Sequence, residues 1–350
     1  MITAQNGIYK LDTDNTSYIF RECESGHLQH LYYGRKIHAD AQVLCEKHVS
    51  IPGNTNIYSP DFNNFSLEDM CLEMSSWGKG DIREPFIEVS HADGSSTSDF
   101  LFESSKITLG KEESETLPGS YDEDGNVGHL TVILKDSNYN LKLELHYYVY
   151  EKCDVIARSA RLLNESDETV QIKRLMSTQL DFDMETLVCT TFHGAWAREM
   201  KRTDVCLHGG KYVNESYTGT SSSRTNPFVM LAETGTNEDS GACYGINLIY
   251  SGNHYEAMEV SGYGETRFVA GINPQSFSWQ LEPGATFEAP EAVMVYSPLG
   301  YNGMSQCMHR FVREHIVRGT WKKKTRPVLL NSWEAVSYTH LRAHETGAYL

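Results

Sequence analysis

The chain has 350 residues, 40% apolar and 22% charged, which is the composition of a soluble globular protein with room for a sizeable core. Its formal net charge of −17 argues against a phosphate-binding surface, so no nucleic-acid partner is expected. There is no run of about 18 apolar residues and no basic start followed by an apolar stretch. Neither a membrane partner nor an export signal is therefore expected.

The predicted elements are mostly strands. "GIYKLDTDNTSYIFRE" reads as two short strands around a DTDN turn. "HLTVILKDSNYNLKLELHYYVYE" (129–151) alternates apolar and polar residues on both sides of a Ser-Asn turn and reads as a hairpin. The stretch 154–182 gives two more strands around Asn164, Glu165, Ser166 and Asp167. "CYGINLIYSGNHYEAMEV" (243–260) repeats the pattern around SGN. Turn signals recur about every dozen residues and long helical periodicity is absent. The expected fold class is all-β, a large antiparallel sandwich of two packed sheets.

One helix breaks the pattern. "NGMSQCMHRFVREHIVRG" places Met304, Met308, Phe311, Val312, His315 and Ile316 on one apolar face, with Gly319 as the expected C-cap. A basic connector, "RGTWKKKTR", follows and reads as a solvated linker. Then "RPVLLNSWEA" reads as a buried strand with a polar-aromatic tip, as in the first strand of a parallel barrel. Two long segments, 50–85 and 193–228, resist strand assignment. Such loops either carry function or cover sheet edges.

Eight cysteines form no CxxC pair and none lies near a histidine at zinc-like spacing. They read as reduced, mostly buried thiols of a cytoplasmic protein, and no metal or other cofactor is expected. Sequons at Asn15, Asn64, Asn164 and Asn214 carry little weight without an export signal. No P-loop, GxGxxG, GxSxG or HExxH is present. Asp181 and Asp183 in "DFD" put two carboxylates on one strand face, which reads as a solvated face ahead of a catalytic pair. His193 and Trp196 in "FHGAW" combine an aromatic plane with a polar ring, and a structural role is the stronger reading. Trp333 differs, because Asn331 and Glu334 flank it at the strand tip. An aromatic face beside hydrogen-bonding groups suits a pyranose.

Several stretches, in order and at matching spacing, resemble a known family. They include "YIFRECESGHLQHLYYGRKI", "FSLEDM" followed by "GDIREPFIEV", "YEKCDVIARSARLLN", "FHGAWAREM", "GTSSSRTNPF" and "GMSQCMHRFVREHIVRGTW". To about Ala335 the chain resembles the N-terminal part of a glycoside hydrolase family 36 α-galactosidase. The resemblance implies a β-supersandwich over 1–300, a connecting helix and basic linker over 301–325, and the first strand of a (β/α)8 catalytic barrel over 326–335. It implies retaining hydrolysis of terminal α-galactosyl units in melibiose- and raffinose-type oligosaccharides by two aspartates deep in the barrel. The family's "KWDMN"-like nucleophile motif does not occur here, so no catalytic residue is assigned and the 350-residue chain is expected to be inactive.

"NSWEA" is similar to the family's "NNWEA", which makes Trp333 a substrate-binding candidate. In tetrameric members a loop of this domain reaches a neighbour's active site. The corresponding "TNIYSPDF" gives Tyr58 and Asp61 as further substrate-binding candidates. The partners implied are an α-galactosyl oligosaccharide and other copies of the chain in a homotetramer. "VSYTHLRAHETGAYL" (336–350) matches nothing in the family and resembles translated sequencing-adapter DNA, so a non-native tail is expected. The alternative is a stand-alone carbohydrate-binding or oligomerisation sandwich. A third reading keeps the superfamily but changes the activity, to α-N-acetylgalactosaminidase or galactosyl transfer.

Overall fold

Alternating side chains point to opposite faces of a strand, so a sequence alternating at period two builds sheets with a buried face. The computed structural model, which describes residues 1–45, 50 and 56–329, contains twenty strands among them. They are β1 (Ile2–Gln5), β2 (Ile8–Asp12), β3 (Thr16–Glu22), β4 (Leu28–Arg35), β5 (Ile87–Ser90), β6 (Phe100–Leu109) and β7 (Gly128–Asp136). There follow β8 (Leu141–Tyr150), β9 (Val155–Asn164), β10 (Val170–Phe182), β11 (Leu187–His193), β12 (Lys201–Cys206), β13 (Gly210–Glu215) and β14 (Thr225–Glu233). The last are β15 (Cys243–Ile249), β16 (His254–Val260), β17 (Thr266–Ile272), β18 (Trp279–Leu281), β19 (Thr286–Glu288) and β20 (Glu291–Ser297). The helix α1 (Gly300–Phe311) follows, continued by a π-turn, Val312–Ile316.

Three sheets result, and every pairing between these strands is antiparallel. A four-stranded meander runs β1-β2-β3-β4. A six-stranded sheet runs β13-β16-β17-β10-β18, with β5 also on β10. A ten-stranded sheet runs β12-β11-β14-β15-β20-β9-β8-β7-β6, with β19 on β9. The β2–β3 and β7–β8 hairpins fall where the turn signals put them. The turns at 164–167 and 251–253 also join strands, but the joined strands lie in different sheets. β9 and β10, and likewise β15 and β16, are arches across the sandwich. Asn164 holds the first arch, donating from Nδ2 to the carbonyls of Glu168 (2.8 Å) and Leu281 (3.0 Å).

The core follows from the alternation. Leu143, Leu145 and Tyr147 of β8 and Ile156, Ala160 and Leu162 of β9 face inward and meet Tyr18 and Phe20 of β3, Ile172 and Leu180 of β10, and Phe268 of β17. Each Leu, Ile or Phe among them contributes roughly 1.5–3 kcal/mol of burial. The opposite face of the ten-stranded sheet is also apolar: Tyr148, Tyr150, Val155, Ala157, Val293 and Val295 pack under Tyr301, Met304 and Phe311 of α1. This is why "EAVMVYS" is buried along its whole length.

The helix starts without a side-chain cap. Its first amides instead donate to the β14–β15 loop: Gly300 to Gly241 O (3.0 Å), Tyr301 to Asn237 O (3.1 Å) and Asn302 to Glu238 O (3.0 Å). Gly300 sits at φ 67°, and a Cβ there would strike the Asn237 carbonyl. Gly245 of β15 lets Met304 press directly onto the sheet.

Three expectations are corrected. The α-helix ends at Phe311 and passes into the π-turn, so Gly319 is no C-cap; it precedes a short 3-10 turn, Thr320–Lys322. Val312 is exposed and does not join the apolar face, because the wider π-turn rotates it outward. The segment 193–228 is not a loop throughout: β12 and β13 lie inside it and β14 begins in it. The expected barrel strand, 326–335, lies mostly outside the described residues, of which only 326–329 belong to it.

Candidate functional site

The segment 56–85 contains no strand, yet it is fixed in place by charge. Arg83 is buried and donates to Asp81 (Nε–Oδ1 2.8 Å), to Glu265 (Nη1–Oε2 2.5 Å) and to the carbonyls of Leu67 (2.7 Å) and Met70 (2.8 Å). Arg267 of β17 binds Asp181 at 2.7 and 2.9 Å and Asp81 at 2.8 Å. Asp181 also accepts the Leu72 amide at 2.8 Å. Burial opposes ionisation of Asp81, but Arg267 and Arg83 outweigh it and hold the carboxyl below its ordinary range. Glu265 goes the other way: burial, aided by Asp181 and Asp183, pushes it up to about 7 against the pull of Arg83. A second buried set joins Glu73 of the segment to Arg158 (2.9 Å), Tyr18 (2.6 Å), Tyr147 (2.8 Å) and His30 (3.1 Å). Glu84 binds Arg174 and Lys211.

On this frame sits the turn that carries two of the sequence candidates. Phe62 N donates to Ser59 O at 3.0 Å, with Pro60 and Asp61 at the corner, the residue types a tight turn selects. Asp61 is exposed there, an acceptor-only group turned to solvent. Tyr58 is half-buried, its ring edge-on to His27 with centroids 4.6 Å apart. Its hydroxyl donates to Asp99 Oδ2 at 2.8 Å, and Lys79 Nζ lies 3.1 Å from the same carboxylate and 4.9 Å from the ring centroid. Burial and Asp99 raise the phenol above its ordinary range. Burial works against the Asp99 carboxylate, but His27, Tyr58 and Lys79 together hold it low. Tyr58 therefore presents a ring edge and a committed hydroxyl, while Asp61 presents a free-standing carboxylate. Their arrangement offers hydrogen-bond acceptance to a hydroxylated ligand.

The third candidate, Trp333, lies outside the described residues, as do Asn331 and Glu334. Asp181 and Asp183 are not a solvated pair: Asp181 is 2% exposed and bound to Arg267, whereas Asp183 is exposed beyond the end of β10. His193 ends β11, bonded to Thr191 Oγ1 at 2.9 Å, and Trp196 is 93% exposed on the turn that follows. A cavity of about 720 Å³ lies beside the ion network, lined by Tyr32, Asp69, Asp181, Asp183, Tyr244 and Glu265 among others. Asp181 and Glu265 in its wall are committed to guanidinium groups. His27, Lys79 and Asp99 had no sequence signal, since Asp99 lies 41 residues from Tyr58 and 72 from His27.

The profile of the glycosyl hydrolase family 36 N-terminal domain matches residues 26–282. The chain belongs to glycoside hydrolase family 36. A second profile, Melibiase, matches residues 286–345 of this family 36 chain. The α-galactosidase AgaA of Geobacillus stearothermophilus is 34% identical over 333 residues, 94% of this chain and 45% of that protein. Mel36A of Lactobacillus acidophilus, another α-galactosidase, is 35% identical over 335 residues, 95% of this chain and 46% of its own length. The crystal structure of AgaB from Geobacillus stearothermophilus superposes with a TM-score of 0.92 at 33% identity, covering 96% of this chain and 46% of AgaB. The family 36 chain thus spans less than half the length of these relatives, as their N-terminal portion, and shares their antiparallel β fold. AgaA variants have been solved with raffinose and with stachyose.

Proposed function

We propose that the chain is the N-terminal portion of a retaining α-galactosidase that releases terminal α-galactosyl units from melibiose- and raffinose-type oligosaccharides. The observation that carries this is the likeness to AgaA, 34% identity along 94% of the chain. In this reading the two catalytic aspartates belong to a barrel that residues 326–335 begin, and the chain alone is inactive. Trp333 packs against the sugar ring at the first barrel strand. Tyr58 and Asp61 complete the site of a neighbouring subunit in a homotetramer, which the exposed position of Asp61 on an anchored turn supports. Eight thiols, none in a disulfide, support a cytoplasmic location.

The purified 350-residue chain is the test. With an aryl α-galactoside it is expected to give no turnover above background; turnover would overturn the assignment of catalysis to the barrel. Sequencing the source DNA past the codon for Ala335 is expected to read into a barrel with two active-site aspartates. A genuine stop after Leu350 would remove the enzyme reading for this polypeptide and leave a carbohydrate-binding or oligomerisation module.

A further inference from the structure

Away from the 56–85 segment, three metal-ligating side chains meet where α1 ends. Cys153 closes the short turn between β8 and β9 and is buried. Glu314 and His315 stand on the π-turn that extends α1. One ligand atom from each lies within 4.8 Å of the other two. Cys153 Sγ is 3.6 Å from Glu314 Oε2. A tetrahedral zinc ion with Zn–S of about 2.3 Å and Zn–O of about 2.0 Å would set sulfur and oxygen about 3.5 Å apart.

The surroundings favour an ion. Tyr121 grips His315 through its backbone: its amide donates to His315 O at 2.9 Å, and its carbonyl accepts from His315 Nδ1 at 3.0 Å. A carbonyl can only accept, so Nδ1 is the donor in that contact and Nε2 is the nitrogen left to coordinate. That is how metal-binding histidines are commonly held. The ring is wedged between Tyr150 (4.5 Å) and Phe311 (5.7 Å), which limits its rotation. Arg310 donates to Lys152 O at 2.6 Å. The π-turn itself brings the adjacent residues Glu314 and His315 to one ion, and such turns recur at functional sites.

We propose that Cys153, Glu314 and His315 form a site for a divalent cation of the zinc class, with water at the fourth position, and that the ion fastens the end of α1 to the β8–β9 turn. Sequence spacing hides the site because Cys153 and Glu314 are 161 residues apart.

Cobalt titrated into the chelator-treated chain is the direct test. One Co2+ per chain with a thiolate-to-cobalt charge-transfer band is expected, displaced by Zn2+, and Zn2+ should raise the melting temperature. Glu314 is exposed, so Glu314→Gln should keep the metal-free fold by circular dichroism and weaken binding at least about tenfold. Cys153→Ser should abolish the band, and Cys206→Ser, which alters the exposed thiol, should leave it intact. No band, a band unchanged in Glu314→Gln, or a band lost only in Cys206→Ser would each overturn the site. If Cys153→Ser fails to fold, Glu314→Gln alone decides.

Discussion

The two stretches that sequence patterning leaves unassigned, 50–85 and 193–228, take opposite forms. The described part of the first contains no strand, yet it is fastened by two buried ionic sets. The second builds regular strands, β12 and β13, yet β12 is largely exposed and the turn before it carries an almost fully exposed Trp196. Both carry eight charged residues in 36, close to the 22% of the whole chain. The difference is where the partners lie. Arg83 and Glu73 meet residues of the sandwich up to 182 positions away, inside the fold. Arg202 meets Asp204 two residues on, at the surface. Regular backbone is therefore a poor guide to which segment is rigid; the location of charge partners is a better one.

The largest effect expected from this contrast is at Arg267. Replacing it with Met leaves Asp81 and Asp181 facing each other in the interior with only Arg83 nearby. Removing one member of a buried pair costs about 3–5 kcal/mol. Arg267→Met should lower the unfolding free energy by that amount, seen as a lower denaturant midpoint, and open 56–85 to limited proteolysis. A cost below about 1 kcal/mol would mean that backbone hydrogen bonds, not the ions, hold the segment.

Next comes a pH effect with a definite sign. Burial, with Asp181 and Asp183 beside it, raises Glu265 to about 7 against the pull of Arg83 and Arg267. Its folded value is raised above the ordinary 4.5, so between these pH values the folded state binds more protons than the unfolded one. The contribution of this group to stability is full below about 4.5 and is lost as pH rises through about 7. Glu265→Gln should flatten the decline in midpoint across that window. A wild-type midpoint as flat across that window as that of Glu265→Gln would place Glu265 as an ordinary ionised partner of Arg83.

Much of the architecture is legible in the residues. Alternation and turn chemistry locate β2, β3, β7 and β8, because local physics sets both the strand and its hairpin. The arches are not legible in that way. Asn164–Asp167 and Ser251–Asn253 are good turn sequences whether the chain folds back in one sheet or crosses to the other. Only the facing core decides. The helix was visible from its apolar face, but its change to a π-turn was not, since Val312 looks as suitable for the core as Phe311. For the site, "DFD" displays two carboxylates and conceals Arg267, 86 residues further on, so Asp181 read as solvated when it is an anchor. Tyr58 and Asp61 came from resemblance to a family; the His27–Asp99–Lys79 support beneath Tyr58 exists only in three dimensions.

The smallest effects should fall in the second stretch. Arg202 and Asp204 form an ion pair at 2.9 Å with both side chains over a third exposed, where such pairs are worth about 0–1 kcal/mol. Trp196 is 93% exposed, so truncating it removes little burial from the folded chain. Arg202→Ala and Trp196→Ala should each shift stability by no more than about 0.5–1 kcal/mol in chemical denaturation of dilute chain. A cost above 2 kcal/mol for Trp196→Ala would show that the indole is covered in solution. Repeating the measurement at rising protein concentration then separates the sources: a concentration-dependent cost means that another copy covers the indole, and a constant one means that the turn folds back on its own chain.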